Sequence, residues 1–286
     1  ISHPLAGSSL IDMYVKCGFL EEAKYMFDKL PYHDVVSWTE LISGFAEYGN
    51  NERALGCLNK MRLEGINPNA ATYICCLKMC GNSRTVIKGM VLHNQVIKEG
   101  FDSDSIVTNT IVDMYGKLGL LSEAEQEFDG LLIQDAVSWT SIISSKIEHG
   151  YPEKALMCVE QMQKKGIPLN ALTLVWVLRA CATLRALEKG LEWYAWLIKV
   201  GLDEEMSIGM VLVEMLSNCG LFVDSHKVLQ HWQLFDTISW MGLIVAYAEY
   251  GHTKEALECF DIMQIEGVPT DVASWNAVIL AFVQKE

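Results

Sequence analysis

Proline is scarce, with only 6 among 286 residues. Little therefore interrupts helices, and a chain that is 51% apolar and 20% charged has the material for a packed, mainly helical body rather than a disordered linker. Positive charge is also short. Lys and Arg number 22 against 36 Asp and Glu, the net charge is −14 and the sequence pI is about 4.9, which argues against a generally basic nucleic-acid binder. No uninterrupted apolar run is long enough to span a bilayer. No phosphate-binding loop or zinc-deaminase signature occurs, and His33-Asp34 is a turn-region pair with no third partner, so no catalytic role is expected. Nine cysteines occur without regular pairing. Cys17, Cys57, Cys158, Cys219 and Cys259 lie in apolar helical patterns, Cys75, Cys76 and Cys80 crowd one segment, and only His93 is near enough to suggest a ligand set. Reduced, buried thiols and neither metal nor cofactor are the expectation. There is no recognisable leader before Ile1-Ser-His-Pro-Leu, and Trp275 to Glu286 opens a unit without completing it, so the chain reads as an internal fragment or a processed chain.

What the chain does have is repetition. Asp34-Val-Val-Ser-Trp-Thr-Glu-Leu-Ile returns in related form at Asp135 and at Asp236, each copy 101 residues after the last. The register holds through Trp38, Trp139 and Trp240, through Gly49, Gly150 and Gly251, through Ala54, Ala155 and Ala256, and on through Met61, Met162 and Met263. A period held over this distance marks a repeat architecture.

Within each period the apolar residues fall at helical spacing. Residues 4–34 form a first unit, with Leu10, Met13 and Tyr14 on one helix, Gly18 ending it, and Leu20, Ala23, Met26 and Phe27 on the next. Residues 35–69 repeat the scheme with Leu41, Ile42 and Phe45, then Ala54, Leu55, Leu58 and Met61. Residues 70–104 keep Leu77, Val91, Val96 and Ile97 but lack the glycine that separates the two helices elsewhere. The cycle continues through 105–135, 136–170, 171–205, 206–236 and 237–271, with a partial unit at 272–286. The expected fold is all-α, a right-handed superhelical solenoid of stacked helix-turn-helix hairpins, because a single hairpin cannot bury its own apolar face. The first helices then present equivalent residues at regular intervals, which suits an extended ligand such as single-stranded RNA or an unfolded peptide.

The motifs narrow this further. Ser9-Leu-Ile-Asp-Met-Tyr-Val-Lys-Cys-Gly18, Thr110-Ile-Val-Asp-Met-Tyr-Gly-Lys-Leu-Gly119, the Ser-Trp pairs at 37, 138 and 239, and Glu52-Arg-Ala-Leu55 with Glu153-Lys-Ala-Leu156 resemble the pentatricopeptide repeat proteins of plant organelles. Unit lengths of 31, 35 and 35 resemble the PLS type, in which three repeat lengths alternate. A tetratricopeptide array has a uniform 34-residue repeat and does not explain the short units. The resemblance implies single-stranded RNA as partner, recognition at about one base per repeat, and a chloroplast or mitochondrial location.

The same resemblance assigns base recognition to a polar residue on the first helix together with the last residue of the repeat. Ser8 with Asp34 resembles a guanine-preferring pair, Thr39 with Asn69 and Thr140 with Asn170 adenine-preferring pairs, and Asn109 with Asp135 a pyrimidine-preferring pair. Asp271 closes the last complete unit, and Asn276 takes the first-helix place in the partial one. Val36, Ile106, Val137 and Ile238 match residues that flank bases, and Lys16 and Lys117 match phosphate contacts.

Other readings of these residues stand beside that one. A terminal Asp or Asn is also a helix cap for the next hairpin, and Val36 and its equivalents also suit hairpin packing. Trp38, Trp139 and Trp240, beside core pairs such as Leu41-Ile42, suit packing better than base stacking. Met210 and Met241 stand where polar readers are expected, Ile74 and Val175 carry no code, and Glu47, Glu148 and Glu249 oppose a phosphate backbone if they face it. The leading function is sequence-selective RNA binding as an organellar RNA-processing, editing or stability adaptor. The alternative is a protein-binding scaffold in an organellar gene-expression assembly, with an exposed part of the cluster Trp176, Trp193, Tyr194 and Trp196 as its surface, although core packing also accounts for that cluster. A protein cofactor or a further C-terminal domain is a possible additional partner.

Overall fold

A computed structural model describes residues 4–201, 206–231, 237–249 and 251–270, together with 272, 275, 276 and 279. The chain divides into two compact units, Ile1–Ser145 and Lys146–Glu286. Among the described residues there are sixteen helices and no strand.

The first unit holds α1 (Pro4–Lys16), α2 (Leu20–Asp28), α3 (Val35–Glu47), α4 (Asn51–Leu63), α5 (Ala70–Asn82), α6 (Val86–Lys98), α7 (Ser105–Lys117) and α8 (Leu121–Gly130). The division falls inside α9 (Ala136–Glu148). The second unit continues with α10 (Pro152–Lys164), α11 (Ala171–Leu184), α12 (Leu187–Lys199), α13 (Met206–Asn218), α14 (Phe222–His231), α15 (Thr237–Glu249) and α16 (Thr253–Ile265).

The hairpins begin and end by recurring local chemistry. Asp34, Asn69, Asp104 and Asn170 cap α3, α5, α7 and α11, each side-chain oxygen accepting a backbone N–H of the first turn that has no partner within the helix. At the other end Gly18, Gly49, Gly119 and Gly150 take φ between 75° and 80°, a left-handed geometry that glycine adopts without a Cβ penalty. The missing glycine of residues 70–104 has a structural answer. Arg84 itself takes φ 53°, its N–H bonding Gly81 O at 3.2 Å while Thr85 N bonds Cys80 O at 3.1 Å; Arg185 does the same after α11 with φ 52°.

In the first unit α1 packs on α3, α3 on α5 and α5 on α7, while α2, α4 and α6 each bridge from their own first helix to the next. The second unit repeats this with α11 on α13 and α13 on α15, and α12 and α14 bridging forward. All-α stacked hairpins, the expected fold class, are therefore what each unit contains. Small residues let the first helices approach: a Cβ on Gly44 would sit 2.5 Å from Val15 Cγ2, and one on Gly116 would sit 1.9 Å from Ser145 Oγ.

The core runs along this seam. Leu41-Ile42, Ile142-Ile143 and Leu243-Ile244 are buried, and so are Trp38, Trp139 and Trp240. Trp38 meets Phe27 edge-on at 4.5 Å, and Trp139 meets Phe128 at 4.7 Å. The packing role expected of the tryptophans is the observed one. Three expected core residues are instead exposed: Met13, Val91 and Ile97. In α1 the buried positions are Ile11 and Val15, and in α6 they are Gly89, Leu92 and Val96. At 100° per residue Met13, Val91 and Ile97 fall off those stripes, so apolar character alone misplaced them.

Candidate functional site

The first helices carry most of the residues assigned to ligand binding. Val36, Ile106, Val137 and Ile238 all lie exposed in the first turns of α3, α7, α9 and α15. An apolar residue left in water at the second position of a helix, at four equivalent places, is free to flank a planar ligand.

Two of the four intended pairs are linked by hydrogen bonds, one directly and one through a third residue. Asn109 on α7 donates its amide nitrogen to both carboxylate oxygens of Asp135, at 3.3 and 3.2 Å, and Asp135 Oδ1 also accepts from Ser138 N at 2.9 Å. Asn109 Oδ1 is thereby left as an acceptor. Thr39 Oγ1 lies 2.7 Å from Val35 O and 2.7 Å from Thr72 Oγ1, and Thr72 Oγ1 lies 2.9 Å from Asn69 Oδ1. Thr39 and Asn69 are thus joined through a hydroxyl of the following hairpin.

Thr140 is buried, with its hydroxyl donating to Ala136 O at 2.6 Å, whereas Asn170 is exposed and accepts from Thr173 N and Thr173 Oγ1, both at 2.8 Å. Ser8 is half-buried on α1, and Asp34 Oδ1 accepts from Ser37 N at 2.8 Å. Asn276 is exposed; Asp271 lies outside the described residues, as does Asp236, the intended partner of Met210.

The cations are less free than their positions imply. Lys16 pairs with Asp12 at 2.8 Å and Lys117 with Asp113 at 2.8 Å, each one turn back on the same helix. The hydrogen bond and charge of Asp12 raise the Lys16 ammonium, and Glu40 and Glu47 add to this. Burial pushes the Glu40 carboxyl above its usual range; Asp12 and Glu47 add to the rise while Lys16 opposes it. A phosphate brought to this end of α1 meets more negative charge than positive.

In the second unit Met210, Ile238, Met241 and Val245 line an apolar cleft of about 430 Å³, with Arg179 and Glu214 also in its lining. Arg179 Nε lies 3.4 Å from Glu214 and the guanidinium sits 5.2 Å from the Trp176 ring. Trp193 and Trp196 are half-buried and meet edge-on at 6.3 Å. Thr72 was not singled out from the sequence, although a signal exists there. Asn69 and Asn170 are followed three residues later by Thr, while Asp34, Asp135, Asp236 and Asp271 are followed by Ser.

All nine cysteines are free thiols. Burial pushes Cys76 and Cys259 up to about 12 and Cys181 to about 11. Among the described residues no group of His, Cys, Asp and Glu could hold a metal ion.

Comparison with known proteins fits the all-helical fold. The profile described as PPR repeat family matches residues 33–82 and 134–183, and the PPR repeat profile matches 8–35, 106–126 and 238–268. A chloroplastic pentatricopeptide repeat-containing protein of Arabidopsis thaliana is 32% identical over 286 residues, covering 100% of this chain and 46% of its own length. A mitochondrial one from the same plant is 32% identical over 272 residues, covering 95% and 42%. The chain therefore spans less than half the length of these relatives. Among solved structures, the pentatricopeptide repeat protein PPR10 from maize matches with a TM-score of 0.61 at 18% identity, covering 96% of this chain and 46% of that one. The structure of PPR10 in complex with an 18-nt psaJ RNA element matches with a TM-score of 0.55 at 16% identity, covering 97% and 51%.

Proposed function

The chain belongs to the pentatricopeptide repeat family, and from that premise we propose that it binds single-stranded RNA with sequence selectivity, as an organellar adaptor for RNA processing, editing or stability. The role is one of recognition; any chemistry on the RNA is supplied by another protein or domain. The organellar location rests on the chloroplastic and mitochondrial relatives. The helix starts at 4, 35, 70, 105, 136, 171, 206 and 237 support repeats of 31, 35 and 35 residues and thus the PLS type.

The observation that carries the reading is the direct bond between Asn109 and Asp135. It joins the first-helix polar residue of one hairpin to the cap of the next, so that both address the same ligand group. With the Asn109 amide nitrogen turned toward Asp135, the pair offers acceptors: one amide oxygen and a carboxylate. That edge suits a base presenting donors, such as the amino groups of cytosine and adenine; the pyrimidine preference rests on the family resemblance. Ser8 with Asp34, Thr39 with Asn69 and Thr140 with Asn170 take the corresponding roles, with Asp271 and Asn276 at the last positions. Val36, Ile106, Val137 and Ile238 flank the bases, and Lys16 and Lys117 meet the phosphates, each exchanging its helix carboxylate for the ligand.

Fluorescence anisotropy with labelled single-stranded RNA, a matched duplex and the same sequence as DNA, at about 0.15 M ionic strength, tests this. The expected result is binding to the single strand alone, with Asn109→Ala and Asp135→Ala changing the preference at one nucleotide. Equal affinity for all three ligands would refute it.

A second reading is favoured by the cleft at Met210 and Met241 and the carboxylates around Lys16. In that reading the chain is a scaffold for another organellar protein, and apolar side chains rather than bases fill the cleft.

A further inference from the structure

We propose that Lys78 holds an RNA phosphate, so that repeat 70–104, which has no base-reading pair, grips the strand without selecting a base. The inference rests on the RNA binding proposed above and extends it to a repeat outside the base-reading set.

The first helices can be compared position by position. In α7, Asn109, Asp113 and Lys117 follow at four-residue steps, so they run along one face from the base-reading place to the place proposed for phosphate. The same face of α1 carries Ser8, Asp12 and Lys16, that of α5 carries Ile74, Lys78 and Asn82, and that of α11 carries Val175, Arg179 and Thr183. The charges trade places. Where the phosphate place holds lysine, the residue one turn earlier is aspartate; where it holds Asn82 or Thr183, the residue one turn earlier is a cation. A repeat without the lysine therefore still puts one positive charge on that face, about 6 Å nearer the reading place.

Lys78 and Arg179 occupy equivalent positions but are not equally available. Arg179 Nε lies 3.4 Å from Glu214 on the next first helix, and its guanidinium sits 5.2 Å from the Trp176 ring. The residue that stands to Lys78 as Glu214 stands to Arg179 is Asp113, and Asp113 is taken by Lys117 at 2.8 Å. The stem of Lys117 lies against α5, since a Cβ on Gly81 would sit 3.4 Å from Lys117 Cδ. Lys78 itself is exposed and makes no ion pair among the described residues. Lys16, like Lys117, is held by an aspartate one turn back, and Lys146 is buried. A phosphate approaching Lys16, Lys117 or Arg179 must displace a carboxylate. One approaching Lys78 displaces none.

The surroundings of α5 need such a charge. Burial raises the Cys75 thiol, Glu47 and Glu40 of α3 add to the rise, and Lys78 opposes it. Lys78 thus offsets the carboxylates that a phosphate meets on the α3 side. An ammonium is a point charge that meets a phosphate whatever the base beside it, which suits a repeat whose reading place is Ile74.

The test measures the affinity of the whole chain for a single-stranded RNA recovered by selection against it, at about 50 and about 200 mM salt. Lys78→Gln is expected to weaken binding alike for RNAs that differ in base, and to reduce the slope of log affinity against log salt by about 0.7, the share of one phosphate on a single strand. The loss is then about 2.5-fold greater at the lower salt than at the higher. Lys78→Arg is expected to keep the slope. Lys98→Gln removes the same charge from the exposed face of α6 in the same repeat and is expected to leave the slope unchanged. An unchanged slope in Lys78→Gln, an equal change in Lys98→Gln, or a loss confined to one base would each overturn the proposal while leaving RNA binding intact. A chain that binds no single-stranded RNA refutes the underlying reading, and the proposal with it.

Discussion

Trp38 is the residue whose loss separates architecture from ligand binding most sharply. Its side chain is 2% exposed, meets Phe27 edge-on at 4.5 Å and His33 at 5.6 Å, and sits beside the buried Leu41-Ile42 pair. Truncation to alanine removes a large buried ring and leaves a cavity, a change that costs about 3–5 kcal/mol, and the lost aromatic pair adds roughly 1 kcal/mol. Phenylalanine behaves differently. The Trp38 Nε1 is buried without a protein acceptor among the described residues, and removing an unsatisfied donor recovers about 1–3 kcal/mol that partly offsets the lost volume. Trp38→Phe is therefore expected to cost less than half as much as Trp38→Ala. Urea denaturation followed by far-ultraviolet circular dichroism measures both. Because each hairpin depends on its neighbours, Trp38→Ala is expected to separate an early transition from the main one. An unchanged midpoint with reduced RNA affinity would refute the packing assignment and make the indole a ligand contact.

Three further outcomes follow from particular residues. The Glu40 carboxyl is raised in the folded chain, so its favourable contribution is present below the unfolded pKa and is lost as pH rises through the folded one; Glu40→Gln is expected to raise Tm at pH 7 and to do so less at pH 4, and equal shifts at both would contradict this. Arg84 occupies left-handed backbone at a strain of about 1 kcal/mol, of which glycine's greater freedom in the unfolded chain takes back about 0.5 kcal/mol; Arg84→Gly is expected to raise Tm slightly, and a fall would show that the arginine side chain outweighs the strain. Thiol labelling with a chromogenic disulfide in the folded chain is expected to be fastest at exposed Cys17 and slowest at Cys76, whose thiol burial pushes up to about 12; rapid modification of Cys76 would show that α5 opens.

Much of this architecture was legible because it depends on local, repeated chemistry. A glycine after an apolar stripe, as at Gly18 or Gly119, ends a helix for reasons of backbone geometry alone, and an Asp or Asn before Ser or Thr caps the next. The tryptophans were readable as core because each adjoins an aliphatic pair at helical spacing. What was not legible depends on neighbours distant in sequence. Arg84 adopts a conformation that its own type disfavours, so the end of α5 carried no glycine signal. Met13 looked like core because it is apolar, but Ile11 and Val15 face the next helix. The carboxylates around Lys16 come from two different helices, and only packing α1 on α3 brings Glu40 and Glu47 to it. The hydroxyl bridge from Thr39 through Thr72 to Asn69 likewise joins two hairpins.

Selection of short single-stranded RNAs from a random pool by the purified chain, at about 0.15 M ionic strength and against a duplex competitor, addresses the central claim most directly. Enrichment of a motif with adenine facing repeat 35–69, lost when Thr39 and Asn69 are replaced, is the expected result. Recovery of a pool with no base preference at any position would contradict sequence-selective RNA binding and leave the scaffold reading in its place.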